Sequence, residues 1–323
     1  YLQNQLKNDA DPLPPSLPGG APKAQSLRYG ENPHQSAAFY QIDGETQGLG
    51  HLKQWHGKAL SYNNIMDLDA AWQIVKAFSQ PAVSIIKHSN PCGSAMAPKL
   101  ITAYELAHSA DPVSAFGSII ACNEEVDEAT ATAISQTFVE AVIAPGFSDK
   151  ALEILTQKVS IRLITVDPFF SNPYPQTFKY VDHGFLVQSP DTLLLQEYTC
   201  VTTEKTSDAE EKDLRFAYEI CKHVKSNAIV IVKNGQTIGV GAGQMSRVEA
   251  VEIAIQKAGE NAKGAVLASD AFFPFKDSVE RMAAAGIRAI IQPGGSKRDD
   301  ESIQAANDNE IAMVFTNTRH FKH

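Results

Sequence analysis

The densest run of chemically capable residues is Lys87-His88-Ser89-Asn90-Pro91-Cys92-Gly93. It ends Ala82–Lys87 (AVSIIK), a β-branched run that predicts a buried strand. Ligands and catalytic groups gather at the carboxyl ends of strands in α/β sheets. There an imidazole can take a proton near neutral pH, and a neighbouring ammonium can stabilise an oxyanion. A bare Lys-His pair at a strand end can equally face solvent, so the pair alone does not decide. Cys92 follows in a Pro-Cys-Gly turn and is expected as a packed thiol rather than a nucleophile. Zinc deaminases carry P-C-x-x-C, but position 95 is Ala and no H-x-E precedes it. No zinc site is expected.

Three further clusters lie elsewhere. Gly239, Gly241 and Gly243 alternate before Arg247, with Ser246 where a third glycine of a dinucleotide fingerprint would stand. Alternating glycines also fit a strand packed closely against another backbone. Ser246 with Glu249 predicts a capping box, and a helix N-terminus with Arg247 could hold an anion. Ser269–Asp277 places Phe272, Phe273 and Phe275 between two aspartates, either as core or as a wall for a flat heterocycle. Pro293–Lys297 is a glycine-containing strand-end loop. Arg28–Gln35 is a polar, turn-forming octet. Arg28, Arg247 and Arg319 could meet one anion, although sequence cannot bring them together.

The elements that must position these clusters alternate. Strands are expected at 36–42, 82–87, 118–122 and 142–144, and helices at 67–79, 98–109, 130–139 and 149–157. Residues 166–192 are rich in Pro, Asp and aromatics and predict a domain junction. Beyond it, helices are expected at 210–223, 247–258, 278–285 and 300–307. Strands are expected at 228–233, 237–241, 265–268, 289–292 and 312–316, with Asn234-Gly235 as a hairpin turn. The alternation argues for an α/β fold. The two halves share an element rhythm, as an internal duplication would leave.

With 323 residues, about two domains are expected. A net charge of -9 argues against nonspecific nucleic-acid binding, which needs a basic face. No apolar run reaches the roughly 18 residues of a membrane span, and no signal peptide is visible. The four cysteines, Cys92, Cys122, Cys200 and Cys221, form no C-x-x-C pair, so a reducing cytoplasm is expected. The chain opens on Tyr1, and the Pro/Gly-rich stretch within residues 1–27 reads as a linker, as though something once preceded it.

Six segments together carry a specific resemblance: RYGENPHQ (28–35), KHSNPCG (87–93), DPVSAFGSI (111–119), HVKSNAIVIVKNGQTIGVGAGQMSR (223–247), SDAFFPFKD (269–277) and TNTRHFKH (316–323). They resemble the transformylase half of the AICAR transformylase/IMP cyclohydrolase family of purine biosynthesis. The resemblance implies two zinc-free, cytidine-deaminase-like layered α/β domains, placed at 28–195 and 196–323. It implies formyl transfer from 10-formyltetrahydrofolate to the 5-amino group of AICAR, giving FAICAR. It further implies a homodimer with active sites at the interface, and leaves a bound monovalent cation open. Residues 1–27 would then be the linker from a cyclohydrolase domain absent here.

By the same resemblance, His88 is the catalytic base and Lys87 the transition-state stabiliser, with Asn227 as a further donor. Arg28, Tyr29, Gly117, Glu140, Asn227, Arg247, Phe272 and Arg319 are implied at AICAR. Val248, Asp277, Ser296 and Lys297 are implied at the folate. A scaffold that only binds a ribonucleotide would need neither Lys87 nor His88. A dinucleotide oxidoreductase is disfavoured by the hairpin before the glycines.

Overall fold

The β-branched runs form strands, and the apolar stripes between them form helices. The computed structural model describes residues 13, 16–17, 21–42, 48–167, 176–193, 195 and 197–323. Two compact units emerge, Tyr1–Ser89 with Ser114–Phe170, and Asn90–Val113 with Ser171–His323. The chain passes between these units at 89/90, 113/114 and 170/171.

In chain order, after a two-residue strand at Ser16–Leu17, the first unit has β1 (Ala21–Leu27), β2 (Ala37–Tyr40), β3 (Lys53–His56), α1 (Tyr62–Val75) and β4 (Ala82–Lys87). The second unit takes β5 (Asn90–Met96) and α2 (Leu100–Ala110). The first unit resumes with β6 (Ser118–Cys122), α3 (Glu128–Ser135), β7 (Val139–Ala144), α4 (Asp149–Leu155) and β8 (Arg162–Thr165). The rest of the second unit is β9 (Thr177–Val181), β10 (Gly184–Gln188), β11 (Thr199–Cys200), α5 (Asp208–Lys222), β12 (Ile229–Lys233) and β13 (Gln236–Gly241). It closes with α6 (Arg247–Ala258), β14 (Val266–Ser269), α7 (Asp277–Ala284), β15 (Ala289–Gln292), α8 (Asp299–Asp308) and β16 (Ala312–Phe315).

In the first unit the sheet order is β4-β6-β7-β8-β3, with β6-β7 and β7-β8 parallel and both flanking pairs antiparallel. α1 packs on β4 and β6 through Leu68, Ala71, Trp72 and Val75. The helix starts at Tyr62, earlier than its apolar stripe suggests, because Ser61 and Asn64 form a reciprocal capping box. Ala21–Leu27 pairs with β2 although the sequence reads 1–27 as linker. Backbone pairing with a neighbouring strand orders a stretch that has little side-chain burial of its own. The remainder of the expected linker falls largely outside the described residues.

The second unit's sheet order is β11-β16-β15-β14-β12-β13-β5. β14-β15 and β15-β16 are parallel, and the other pairs antiparallel. Ile229, Ile231, Leu267, Ile290 and Met313, alternate residues of four strands, form one core with Ala250 and Val251 of α6, Val279 and Met282 of α7, and Ala305 of α8. α5 packs on β12, β14 and β15. The Asn234-Gly235 turn is present, both residues at positive φ (54° and 73°). The alternating glycines resolve as a close approach: a Cβ on Gly239 or Gly241 would stand 2.1 or 2.0 Å from the Ala254 or Ala250 carbonyl oxygen of α6. β9 and β10 form a separate two-stranded ribbon. Among the described residues no helix is long and apolar enough to cross a membrane.

Candidate functional site

β4 ends on Lys87, and His88 and Ser89 follow at left-handed φ of 53° and 60°. α1 fixes this turn: the Asp67 carboxylate accepts from the Ser89 backbone N–H (2.7 Å) and from its hydroxyl (3.2 Å). His88 is exposed. Lys87 Nζ donates to the carbonyls of Phe116 and Gly117, both at 2.9 Å. An ammonium has three protons, so one remains for a further acceptor. Gly117 has φ +68°, and a Cβ there would stand 3.2 Å from Lys87 Nζ. Glycine therefore serves both the backbone turn and the space beside the ammonium. Phe116 and Phe138 are exposed beside it, ring centroids 5.3 Å apart.

The other first-unit candidates lie on separate elements. Arg28 stacks its guanidinium 5.6 Å from the Tyr29 ring centroid, in the loop between β1 and β2. Glu140 of β7 is held by Arg162 of β8, Nη1 to Oε2 at 2.6 Å. Arg162 is a partner the sequence does not announce, since the pair forms only when β7 and β8 align.

The second unit contains a cavity of about 510 Å³. Asn227, Arg247, Val248, Phe272, Asp277 and Arg319 line it, with Met245, Ser246, Pro274, Phe275 and Phe321 among the remaining walls. Six residues that the resemblance implies at the substrates thus share one cavity. Ser296 and Lys297 are not in its lining. Ser296 Oγ instead accepts from the Arg298 backbone N–H at 3.1 Å.

Arg247 is the buried centre of this wall. Its Nη1 donates to Asp270 Oδ1 at 2.5 Å and to Ser269 Oγ at 2.8 Å, and its Nη2 donates to Asn227 Oδ1 at 2.5 Å. The Asp270 side chain is fully buried. A buried guanidinium needs such a partner, because an isolated charge out of water is costly. Asn227 Nδ2 donates to the carbonyls of Gln244 (2.9 Å) and Met245 (3.1 Å). Both amide protons and the amide oxygen of Asn227 are therefore engaged. Arg319 is exposed, and its guanidinium lies 4.3 Å from the Phe321 ring centroid. Among the described residues it makes no ion pair.

The expected capping box at α6 is a correction. Ser246 occupies the N-cap with extended backbone, yet its side chain makes no cap hydrogen bond. It lines the cavity. The S-x-x-E spacing gave a capping signature, but the Ser246 hydroxyl is not turned onto the helix amides. Asp270 stood out in the sequence only as a neighbour of the phenylalanines; its pairing with Arg247 depends on β14 lying beside β12. Among the described residues no group of three or more His, Cys, Asp or Glu side chains is placed to hold a metal ion.

The profile of the AICARFT/IMPCHase bienzyme family matches residues 1–257. This chain belongs to that family. Bifunctional purine biosynthesis protein PurH of Oceanobacillus iheyensis is 54% identical over 304 residues, covering 93% of this chain and 60% of the relative. The protein of the same name from Anoxybacillus flavithermus is 55% identical over 304 residues. That of Bacillus anthracis is 52% identical over 326 residues, covering all of this chain and 63% of the relative. As a member of the AICARFT/IMPCHase bienzyme family, the chain thus spans about 60% of the length of such relatives.

Proposed function

We propose that this chain is an AICAR formyltransferase, moving the formyl group of 10-formyltetrahydrofolate onto the 5-amino group of AICAR to give FAICAR and tetrahydrofolate. The observation that carries the reading is the cavity in which Asn227, Arg247, Val248, Phe272, Asp277 and Arg319 meet. Family membership supports the same reading.

The chemistry suits the residues. The AICAR amine is a weak nucleophile because its lone pair delocalises into the ring and carboxamide. As its nitrogen bonds to the formyl carbon, His88 takes the amine proton. The tetrahedral oxyanion takes the remaining Lys87 proton as a hydrogen bond. Collapse breaks the bond to the folate nitrogen, which recovers a proton. Asn227 could donate to the oxyanion only by releasing one of its two carbonyl partners, so Lys87 is the readier donor. Arg319 suits the nucleotide phosphate, since Arg247 is already neutralised by Asp270. Arg28, Tyr29, Gly117 and Glu140 are proposed at AICAR, and Val248 and Asp277 at the folate. Ser296 and Lys297, outside that cavity's lining, are also proposed at the folate.

The finer readings stand with this proposal: cytidine-deaminase-like layering without zinc, a homodimer with shared active sites, and a cytoplasmic setting with no resident cofactor beyond an optional monovalent cation. The test is to mix the chain with AICAR and 10-formyltetrahydrofolate and follow tetrahydrofolate and FAICAR. FAICAR accumulating without IMP is expected. AICAR bound without any turnover would contradict a catalytic role for this chain.

A further inference from the structure

We propose that Asp270 is a positioning residue that sets two parts of the cavity wall together: the Arg247–Asn227 pair and the C-terminal segment bearing Arg319 and Phe321. The assignment rests on the functional reading for its AICAR-binding and kinetic readouts only.

Every polar group of Asp270 is engaged. Oδ1 accepts from Arg247 Nη1 and from the Ala228 backbone N–H (3.1 Å). Oδ2 accepts from the Ser226 hydroxyl at 2.5 Å. Its backbone N–H donates to the Ala228 carbonyl (3.3 Å), and its carbonyl accepts from the His320 N–H (3.1 Å). Ser226 carries the linkage onward. Its hydroxyl accepts from the Lys322 N–H at 3.0 Å, and its own N–H donates to the Lys322 carbonyl at 2.9 Å. The hydroxyl proton is thus directed at the carboxylate while its oxygen holds the chain end.

Arg319 and Phe321 alternate with His320 and Lys322, the two residues that Asp270 and Ser226 hold by the backbone. Fixing the backbone at 320 and 322 therefore fixes where 319 and 321 project, and both line the cavity. His320 is anchored again by Asp191, Nδ1 to Oδ2 at 2.5 Å, and packs edge-on against the Tyr218 ring. No residue of this linkage besides Arg247, Asn227, Arg319 and Phe321 lines the cavity. Asp270 and Ser226 thus act through other groups.

The variants are Ser226→Ala, Ser226→Thr and Asp270→Asn in the full chain. Amide hydrogen exchange at Lys322 and calorimetric AICAR binding are read alongside kcat and KM. Losing one hydrogen bond worth about 1.4 kcal/mol corresponds to about tenfold. Ser226→Ala should accelerate exchange at Lys322 about tenfold and raise the AICAR Kd and KM by a similar factor, with kcat little changed. Ser226→Thr, which keeps the hydroxyl, should restore both. Asp270→Asn should accelerate Lys322 exchange and also lower kcat, because Arg247 and Asn227 lose their reference. If it does not fold, the serine pair still decides. Unchanged exchange at Lys322 in Ser226→Ala would overturn the linkage. Accelerated exchange with unchanged AICAR affinity would overturn the positioning role. If the parent chain binds no AICAR, the functional reading fails, while the exchange data still judge the linkage.

Discussion

Lys87 ends β4 and Arg247 opens α6; both are cations, and the protein treats them oppositely. Lys87 is held by two neutral carbonyls, so its positive charge is not cancelled and one proton stays available. Arg247 is buried against Asp270, and its charge is spent on a partner inside the fold. The first arrangement leaves charge open to an incoming group. The second exchanges charge for geometry, because a guanidinium fork with three fixed acceptors holds Asn227 in one orientation. The difference teaches that residue type alone does not assign a role: the nearest acceptor decides whether a cation keeps its charge open to an incoming group or builds a wall.

Three experiments probe that contrast. The largest effect is expected in the first unit. His88→Ala should lower kcat by roughly 10²–10⁴ with melting temperature and AICAR affinity nearly unchanged. AICAR affinity falling as far as the rate would place His88 in binding rather than proton transfer. In the second unit the effect should move to stability. Arg247→Met leaves Asp270 buried and unpaired, at about 3–5 kcal/mol by denaturant titration. A loss below about 1 kcal/mol would show that the pair is not the buried centre of that wall.

The smallest effect is on pH dependence. Burial holds the His223 imidazole below its ordinary 6.5, only partly opposed by Glu219 beside it. The unfolded chain then takes up the proton first as pH falls. Stability from this residue is full above about 6.5 and declines as pH drops toward the depressed folded value. Melting temperature followed from pH 7.5 to 5 should decline less for His223→Gln than for the parent.

Much of the fold was legible where one signal dominated. Ala82–Lys87 and Arg247–Ala258 match the expected bounds because a β-branched run and a helical stripe meet no competing signal. The glycines before Arg247 were readable as a close backbone approach, and they make one with α6. Asn90–Met96 was not legible as a strand. Its sequence, NPCGSAM, has a proline, a glycine and no apolar alternation, and its pairing comes from β13, far away in sequence. β9 and β10 were hidden in a stretch read only as a junction, since their apolar residues stay exposed and show no buried face. The cavity's membership was legible as motifs. Its internal wiring was not, because Asp270, Ser226 and Lys322 meet only once the sheet is assembled.

The passage of the chain between units has a consequence for anyone who would divide this protein. Asn90–Val113 is grouped with Ser171–His323, while Ser114–Phe170 returns to the first unit. No single cut therefore yields either unit whole. A fragment ending at 170 would keep β5 and α2 but lose β13, which pairs with β5 and whose Thr237 hydroxyl bonds Ser94 at 2.8 Å. A fragment starting at 171 would leave the β13 edge bare, an invitation to pair with another chain. During synthesis, β5 emerges long before its partner, so the second unit can close only after most of the chain has been made.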